Sequence, residues 1–234
     1  INQVFIDCDI EIERLISQSF ALGAKLLNPH QLQSGSILIN LEPKRISLAL
    51  FKNLALVHSV TFPVGVDHIT NDISKVCSLS LKESLEIRNN IDFLFKNNQN
   101  IFDESNFLKE NLFKESKYRK ISRDLIFKII KARIDEIFNL VKQQIKVPGF
   151  NFNSAVDFYL TGEGSNLLNV QKYCQDFFEI DSIEKERGDI EKNFSACFGA
   201  IKIITDGWET EAIPEIKVKS MEKMGFLSKF FRNH

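Results

Sequence analysis

The run Thr161-Gly162-Glu163-Gly164-Ser165 has the spacing of a phosphate-binding turn. A strand, a glycine turn and a helix in succession bring backbone N–H groups against a nucleotide. Ala155–Thr161 reads as that strand, buried, and Leu167, Leu168, Val170, Cys174 and Phe177 as the inward face of the helix after it. Glu163 puts a charge of the wrong sign at the centre of the turn. A plain strand-to-helix turn explains the same residues. A second cluster, Arg119, Lys120 and Arg123, sets cations beside a helix start. Such a cluster can clamp a carboxylate-rich peptide, and a solvated basic turn has the same composition. Asp67-His68 has no Ser or Cys nucleophile beside it, and His68 reads as a first-turn helix residue. His30, His58 and His234 are too scattered for a metal site. The residues form no catalytic constellation and no metal set.

Composition narrows the function classes. The 234 residues allow one domain or two small ones. The net charge of −1 gives no electrostatic argument for nucleic acid. Cys8, Cys77, Cys174 and Cys197 make no C-x-x-C pair. Three lie on apolar helical faces, so reduced core thiols in a cytosolic protein are the expectation. The N-terminus shows no signal peptide, and no apolar run is long enough to span a bilayer. The chain opens at Ile1 rather than Met, as a fragment or a split product would.

The elements that position these residues begin with Ser34–Asp72. Ile37–Leu41, Ile46–Phe51 and Leu54–Phe62 are apolar runs separated by Lys44-Arg45 and Lys52-Asn53, gaps short enough for tight turns. This pattern predicts an antiparallel three-strand meander. Pro63 and Gly65 end the third strand, and Asp67 is placed to cap a helix beginning at His68. Ile69, Ile73 and Val76 form one face of that helix. Ser80-Leu81-Lys82-Glu83 is a capping box opening a second helix that runs to about Arg88. Ahead of the meander, Val4–Asp7 reads as extended and Ile10–Leu26 as a helix ended by Asn28-Pro29. Residues 90–121 are hydrophilic with scattered Phe; strands are expected near Asn111–Phe113 and Tyr118–Ile121. Ser122 caps a long helix with the stripe Ile126, Ile130, Ile134, Ile137, Phe138, Val141 and Ile145, stopped by Pro148-Gly149. Asn193–Ile204 is a last helix with a small-residue face, Ala196, Gly199 and Ala200.

After the polar linker Thr205–Pro214 the chain ends in an amphipathic run. At about 100° per residue, Met224, Phe226, Leu227, Phe230 and Phe231 share one arc. Lys229 and Arg232 lie opposite, with Lys223 near the helix start. From Ile216 onward there are five basic residues and one acidic, a side-chain net of +4. This is the pattern of an interfacial membrane helix that binds reversibly. A C-terminal helix docked on the protein's own core is the alternative.

The run Pro63-Val64-Gly65-Val66-Asp67-His68-Ile69-Thr70-Asn71-Asp72-Ile73 resembles PVGGDHITNDI of the FtsA family of bacterial cell-division proteins, with Val66 for one glycine. That family belongs to the actin/Hsp70 superfamily. Ala55-Leu56-Val57-His58 also matches, Ile121–Leu125 is similar to the family's ISR-x-x-L, and Ala132–Ile137 to its ARVEEI. The resemblance covers almost the whole chain but only the C-terminal half or so of the family.

The resemblance implies an α/β, actin-like ATPase fold: its second lobe, with a three-strand meander, helices and a small outer subdomain. Residues 1–33 would connect from a missing first lobe. Residues 34–89 and 150–206 would be the inner subdomain and 90–149 the outer one. Residues 207–220 would be a linker and 221–234 a membrane-targeting helix. It implies ATP with magnesium, and a nucleotide-site remnant at Asn40, Lys44, Arg45, Gly65, Arg88, Gly162, Gly164 and Ser165. The family's first strand ends in a glycine-rich Asp-x-Gly-Gly-Gly-Thr-Thr-Asp loop; here the run is Asn40-Leu41-Glu42-Pro43-Lys44-Arg45-Ile46-Ser47. Glu42 repels phosphate, Pro43 has no N–H, and Asn40 replaces the metal-side carboxylate. Lys44 and Arg45 can attract an anion, and a polar hairpin turn has the same residues. Leu85 and Arg88 fall at a Glu and Lys near the nucleoside in the family, and a solvated helix-end arginine is the plain reading of Arg88. A fold kept and a nucleotide site eroded is the expectation, hence no enzyme activity. The implied partners are the FtsZ C-terminal peptide, at Arg119, Lys120 and Arg123, the anionic inner-membrane surface, and further copies of the chain. The implied location is the cytoplasmic face of that membrane at the division site. The alternative is an ATP-binding actin/Hsp70-type filament-forming or chaperone ATPase whose first lobe lies elsewhere. A pilus-assembly ATPase finds no support in the Pro63–Ile73 run.

Overall fold

The computed structural model of the chain describes residues 2–12, 14–96, 98–146, 156–186 and 194–206. The three apolar runs form the predicted meander. Strand β1 (Ser36–Leu41) pairs antiparallel with β2 (Ile46–Lys52), which pairs antiparallel with β3 (Ala55–Phe62). Asn53 and Leu54 both take positive φ in the β2–β3 turn, as the twist of a two-residue hairpin requires. On its other edge β1 pairs in parallel with β4 (Asp157–Thr161), and β4 with the short β5 (Glu184–Lys185). The sheet order is therefore β3-β2-β1-β4-β5.

Helices cover both faces, which explains why β1 and β2 are continuous apolar runs rather than alternating ones. Ile37, Ile39 and Leu41 pack with α4 (Asp67–Cys77), α5 (Leu81–Asn90), α6 (Arg123–Gln144) and α7 (Val170–Phe178) in the larger core. Leu38, Ala49 and Phe51 face the other way. They meet α2 (Gln18–Leu26), α3 (Pro29–Ser34) and α8 (Ser195–Asp206). Each large side chain so buried stabilises by roughly 1.5–3 kcal/mol. Gly199 lets α8 lie directly on α2: a Cβ there would stand 1.8 Å from the Ala21 carbonyl oxygen. The α6 stripe is buried as read, from Ile126 to Ile145. The Ser80 capping box also forms: Ser80 Oγ accepts from the Glu83 N–H and Glu83 accepts from the Ser80 N–H. Glu83 does more than cap. It accepts further hydrogen bonds from the N–H groups of Glu115 and Ser116 and from the Ser116 hydroxyl, tying α5 to that loop.

Several local expectations are corrected. Val4–Asp7 is not extended; it lies in and just after α1 (Asn2–Ile6). The second helix starts at Gln18 rather than Ile10, because Ser17 caps it by accepting from the Phe20 N–H. Asn28-Pro29 ends that helix and at once starts α3, with Asn28 and Gln31 forming a capping box. On α4 the inward residue is Cys77, while Val76 is 58% exposed. On α7 it is Phe178 rather than Phe177 that is fully buried, and Leu168 is exposed. Asn111 and Leu112 lie in a 3-10 turn instead of a strand. Tyr118–Ile121 makes no strand; isolated bridges join Phe102 to Leu108 and Phe107 to Ser122. Cys77 and Cys174 are core thiols, and burial pushes both up in pKa, but Cys8 and Cys197 are exposed. Pro148-Gly149 lies outside the described residues.

Candidate functional site

The C-terminal ends of β1 and β4 lie side by side in the parallel part of the sheet. That is where α/β folds bind ligands. A groove of about 220 Å³ opens there, lined by Gln18, Asn40, Glu42, Pro43, Gly162 and Glu163 among others. Two glycines permit its walls. Gly65 carries the β1–β2 hairpin: a Cβ there would lie 2.2 Å from the Glu42 carbonyl oxygen and 2.6 Å from the Arg45 nitrogen. Gly162 has φ 86°, and its Cβ would meet Asn40 Oδ1 at 2.5 Å. Gly164 and Ser165 belong to the tight turn after Gly162, with the buried Ser165 hydroxyl donating to the Gly162 carbonyl at 2.7 Å.

The groove's polar groups are used by the chain itself. The Val66 N–H donates to the Glu42 carbonyl at 3.1 Å and the Asp67 N–H to the Pro43 carbonyl at 2.8 Å. The hairpin thus satisfies the first amides of α4, which elsewhere serve an anion. Asp67 is not the cap that was expected; it is the first helical residue. His68 Nδ1 accepts from the Gly65 N–H at 3.2 Å instead. Glu42 is bound by Arg45 Nε and by Gln18 Nε2 at 2.8 Å, while Arg45 Nη2 donates to Gln18 Oε1 at 2.9 Å. Burial opposes the charge on Glu42, but the hydrogen bonds from Arg45 and Gln18 outweigh it and hold the carboxyl below its usual range. Lys44 is exposed and does not line the groove.

Arg88 is corrected most clearly. It is not a solvated helix end; it is 2% exposed. Its guanidinium donates to Asp67 Oδ1 at 3.0 Å and to Asn89 Oδ1, and it lies 3.8 Å from Glu163 Oε1. Glu163, which reads as a misplaced charge in the sequence, is therefore a partner of a buried cation. A cluster that sequence reasoning missed stands behind the groove. Glu186, 4% exposed, accepts from the hydroxyls of Thr161 and Ser195, with Lys25 Nζ at 3.9 Å. No local signal marks it, since its partners are 25, 9 and 161 residues away in sequence by their numbers.

These groups disfavour the phosphates of a nucleoside triphosphate. Glu42 and Glu163 line the groove, Pro43 offers no donor, and the α4 amides are taken. Among the described residues no group of His, Cys, Asp and Glu is placed to hold a metal ion.

The basic cluster separates into three environments. Arg119 donates to the carbonyls of Cys77 and Ser78, capping the C-terminus of α4. Lys120 Nζ lies over the Phe107 ring at 5.6 Å. Arg123 lies over the Phe127 ring at 5.8 Å and 4.0 Å from Asp124. The amphipathic run with Lys223, Met224, Phe226, Leu227, Lys229, Phe230, Phe231 and Arg232 lies outside the described residues. Among the described residues no helix is long and apolar enough to cross a membrane.

No protein-family model matches the chain, and no curated protein sequence does. Solved structures match its fold. Spiroplasma citri MreB5 bound to AMPPNP is 15% identical with a TM-score of 0.62, over 87% of this chain and 62% of that one. The MamK filament is 11% identical with a TM-score of 0.60, over 86% and 61%. EutJ from Carboxydothermus hydrogenoformans is 13% identical with a TM-score of 0.55, over 83% and 58%. The chain thus spans about three-fifths of the length of these proteins. With its five-stranded mixed sheet between two helical layers, the chain has the actin-like ATPase fold.

Proposed function

We propose that the chain is an FtsA-like adaptor of the cell-division machinery. Its actin-like body holds the acidic C-terminal peptide of FtsZ without turning over nucleotide. Its residues 221–234 grip the anionic inner membrane from the cytoplasmic side. The observation that carries this reading is the Pro63–Ile73 run, where the FtsA resemblance is densest. It forms the β3–α4 junction of an actin-like fold, and the β1–β2 hairpin sits on it where a phosphate loop would be. Lys120 and Arg123 are the peptide contacts in this reading, since Arg119 is held on the α4 carbonyls.

Each contact is weak alone. Each large apolar side chain of the terminal helix contributes roughly 1.5–3 kcal/mol when buried in lipid. Each cation near an anionic leaflet contributes about 1 kcal/mol. Ordering the helix offsets part of this. A polymerised partner presents many peptides at once, so avidity recruits the adaptor to filaments.

A second reading, an ATP-binding filament-forming ATPase, is favoured by the open groove between β1 and β4 and by fold neighbours solved with AMPPNP and ADP. The adaptor is tested by co-sedimentation with vesicles of phosphatidylcholine and phosphatidylglycerol, together with an FtsZ-tail peptide. Phe230→Glu is expected to abolish vesicle binding and leave peptide affinity unchanged. Undiminished vesicle binding by this variant would remove the tail as the anchor.

A further inference from the structure

The helix α8 is apolar on two opposite sides. Ser195, Gly199 and Ile203 are its buried residues, with Gly199 directly against Ala21 of α2. At about 100° per residue, Phe194, Cys197, Phe198, Ile201 and Ile204 fall on the opposite arc. Phe194 stands one residue before the helix, and its carbonyl accepts from the Phe198 N–H at 2.9 Å. All five are exposed, Phe194 by 56%, Phe198 by 47%, Ile201 by 54% and Ile204 by 67%. No charged residue shares that arc. The flanking lysines are held by the chain: Lys25 lies 4.9 Å over the Phe198 ring and donates to Ser195 Oγ at 3.3 Å, and Lys202 donates to the Ala24 carbonyl at 2.8 Å. The outer arc therefore offers apolar contact rather than charge pairing.

A helix that is apolar on every side is normally buried on every side. A continuous apolar stripe marks a contact surface, whereas single exposed apolar residues do not. The chain carries a segment that fits this stripe. In residues 221–234, Met224, Phe226, Leu227, Phe230 and Phe231 share one arc at the same helical spacing. As a helix that segment would be about 21 Å long, against about 18 Å for α8. The connection 207–220 leaves from the end of α8 at Asp206. As a flexible chain it spans roughly 20 Å from end to end, so the segment reaches the whole stripe. A tether whose reach matches the span gives an effective concentration in the millimolar range, which favours the chain's own segment over a second copy.

We propose that the outer arc of α8 is the seat of residues 221–234 in the absence of lipid, and that α8 and the membrane compete for the same apolar side chains. The seat and its occupant follow from α8 and the terminal run; the competition rests on the membrane reading above. The protein then binds lipid only by giving up an internal contact, and its affinity for vesicles is lowered by the docked fraction.

The test is intrachain cross-linking of the 234-residue chain. Cys197, on the stripe, supplies one thiol and Leu227→Cys the other, with the exposed Cys8 removed by Cys8→Ser. A short bismaleimide is expected to join the two within one chain, as electrophoresis and peptide mapping show, and vesicles of phosphatidylcholine and phosphatidylglycerol to suppress the product. Ile201→Glu, and independently Ile204→Glu, alter exposed side chains and are expected to abolish it. The same two substitutions in the otherwise unaltered chain are expected to tighten vesicle binding about ten-fold, as release of a segment docked about nine-tenths of the time requires. No cross-link, a cross-link only between two chains, or one that survives both substitutions overturns the proposal. Vesicle binding weakened by the substitutions also overturns it, in favour of α8 lying on the lipid. An intrachain cross-link in a protein that binds no vesicles, with or without the substitutions, would sink the membrane reading and leave the seat standing.

Discussion

Gly65→Ala places one methyl group where the β1–β2 hairpin meets the first turn of α4. The added Cβ would lie 2.2 Å from the Glu42 carbonyl oxygen and 2.6 Å from both the Arg45 nitrogen and the Pro43 carbonyl oxygen. All three are backbone atoms, so no side chain can swing aside. The hairpin must move by roughly 1 Å to restore ordinary contact. That shift lengthens the bonds from the Val66 and Asp67 N–H groups, now 3.1 and 2.8 Å. Two backbone hydrogen bonds contribute roughly 1–3 kcal/mol together. The overpacking itself costs about 1–3 kcal/mol. The expected loss is therefore about 2–6 kcal/mol, out of a typical stability of roughly 5–15 kcal/mol. At about 2–4 °C per kcal/mol for a chain of this size, the melting temperature falls by at least roughly 4 °C. Urea unfolding followed by circular dichroism measures it, with Lys44→Ala as the exposed control expected within about 0.5 kcal/mol. A Gly65→Ala protein within about 0.5 kcal/mol of the wild type would refute the seating of the hairpin on α4.

Two further predictions concern the elements that brace this junction. The Glu83 carboxyl is buried, which opposes its charge, but the Ser116 hydroxyl and the N–H groups of Glu115, Ser116 and Ser80 pull its pKa from 4.5 to about 2. A depressed carboxyl stabilises above its unfolded value and loses that contribution as pH falls. Unfolding free energy should therefore decline between pH 4.5 and about 2, and Glu83→Gln should flatten that part of the profile in acid-titration denaturation. Arg119→Ala should lower stability by roughly 1–3 kcal/mol in urea, because it uncaps two α4 carbonyls; an unchanged midpoint would free Arg119 for a purely external role.

Elements governed by local periodicity were legible in the sequence. The α6 stripe, the Ser80 capping box and the meander each depend on residues within a turn or two, and all three stand as read. Faces assigned by one residue slipped where two neighbours are both apolar, as at Val76 and Cys77 or Phe177 and Phe178. Helical spacing of Ile10–Leu26 overran its start because Ser17, a cap signal, stands inside the run. The site's lining was legible in the sequence at Asn40, Glu42, Pro43, Gly162 and Glu163. Its positive wiring was not: Arg88 meets Asp67 and Glu163, and Glu186 meets Thr161, Ser195 and Lys25, only because the sheet brings distant segments together.

The proposal to test first is an actin-like fold whose groove, lined by Glu42, Pro43 and Glu163, takes up no nucleotide. Isothermal calorimetry with ATP and Mg²⁺ on the longest expressible form of the protein tests it most directly, paired with thermal unfolding at millimolar ATP. The account predicts no binding heat and no stabilisation. Micromolar binding would contradict it and would move the ATP-driven filament reading to first place.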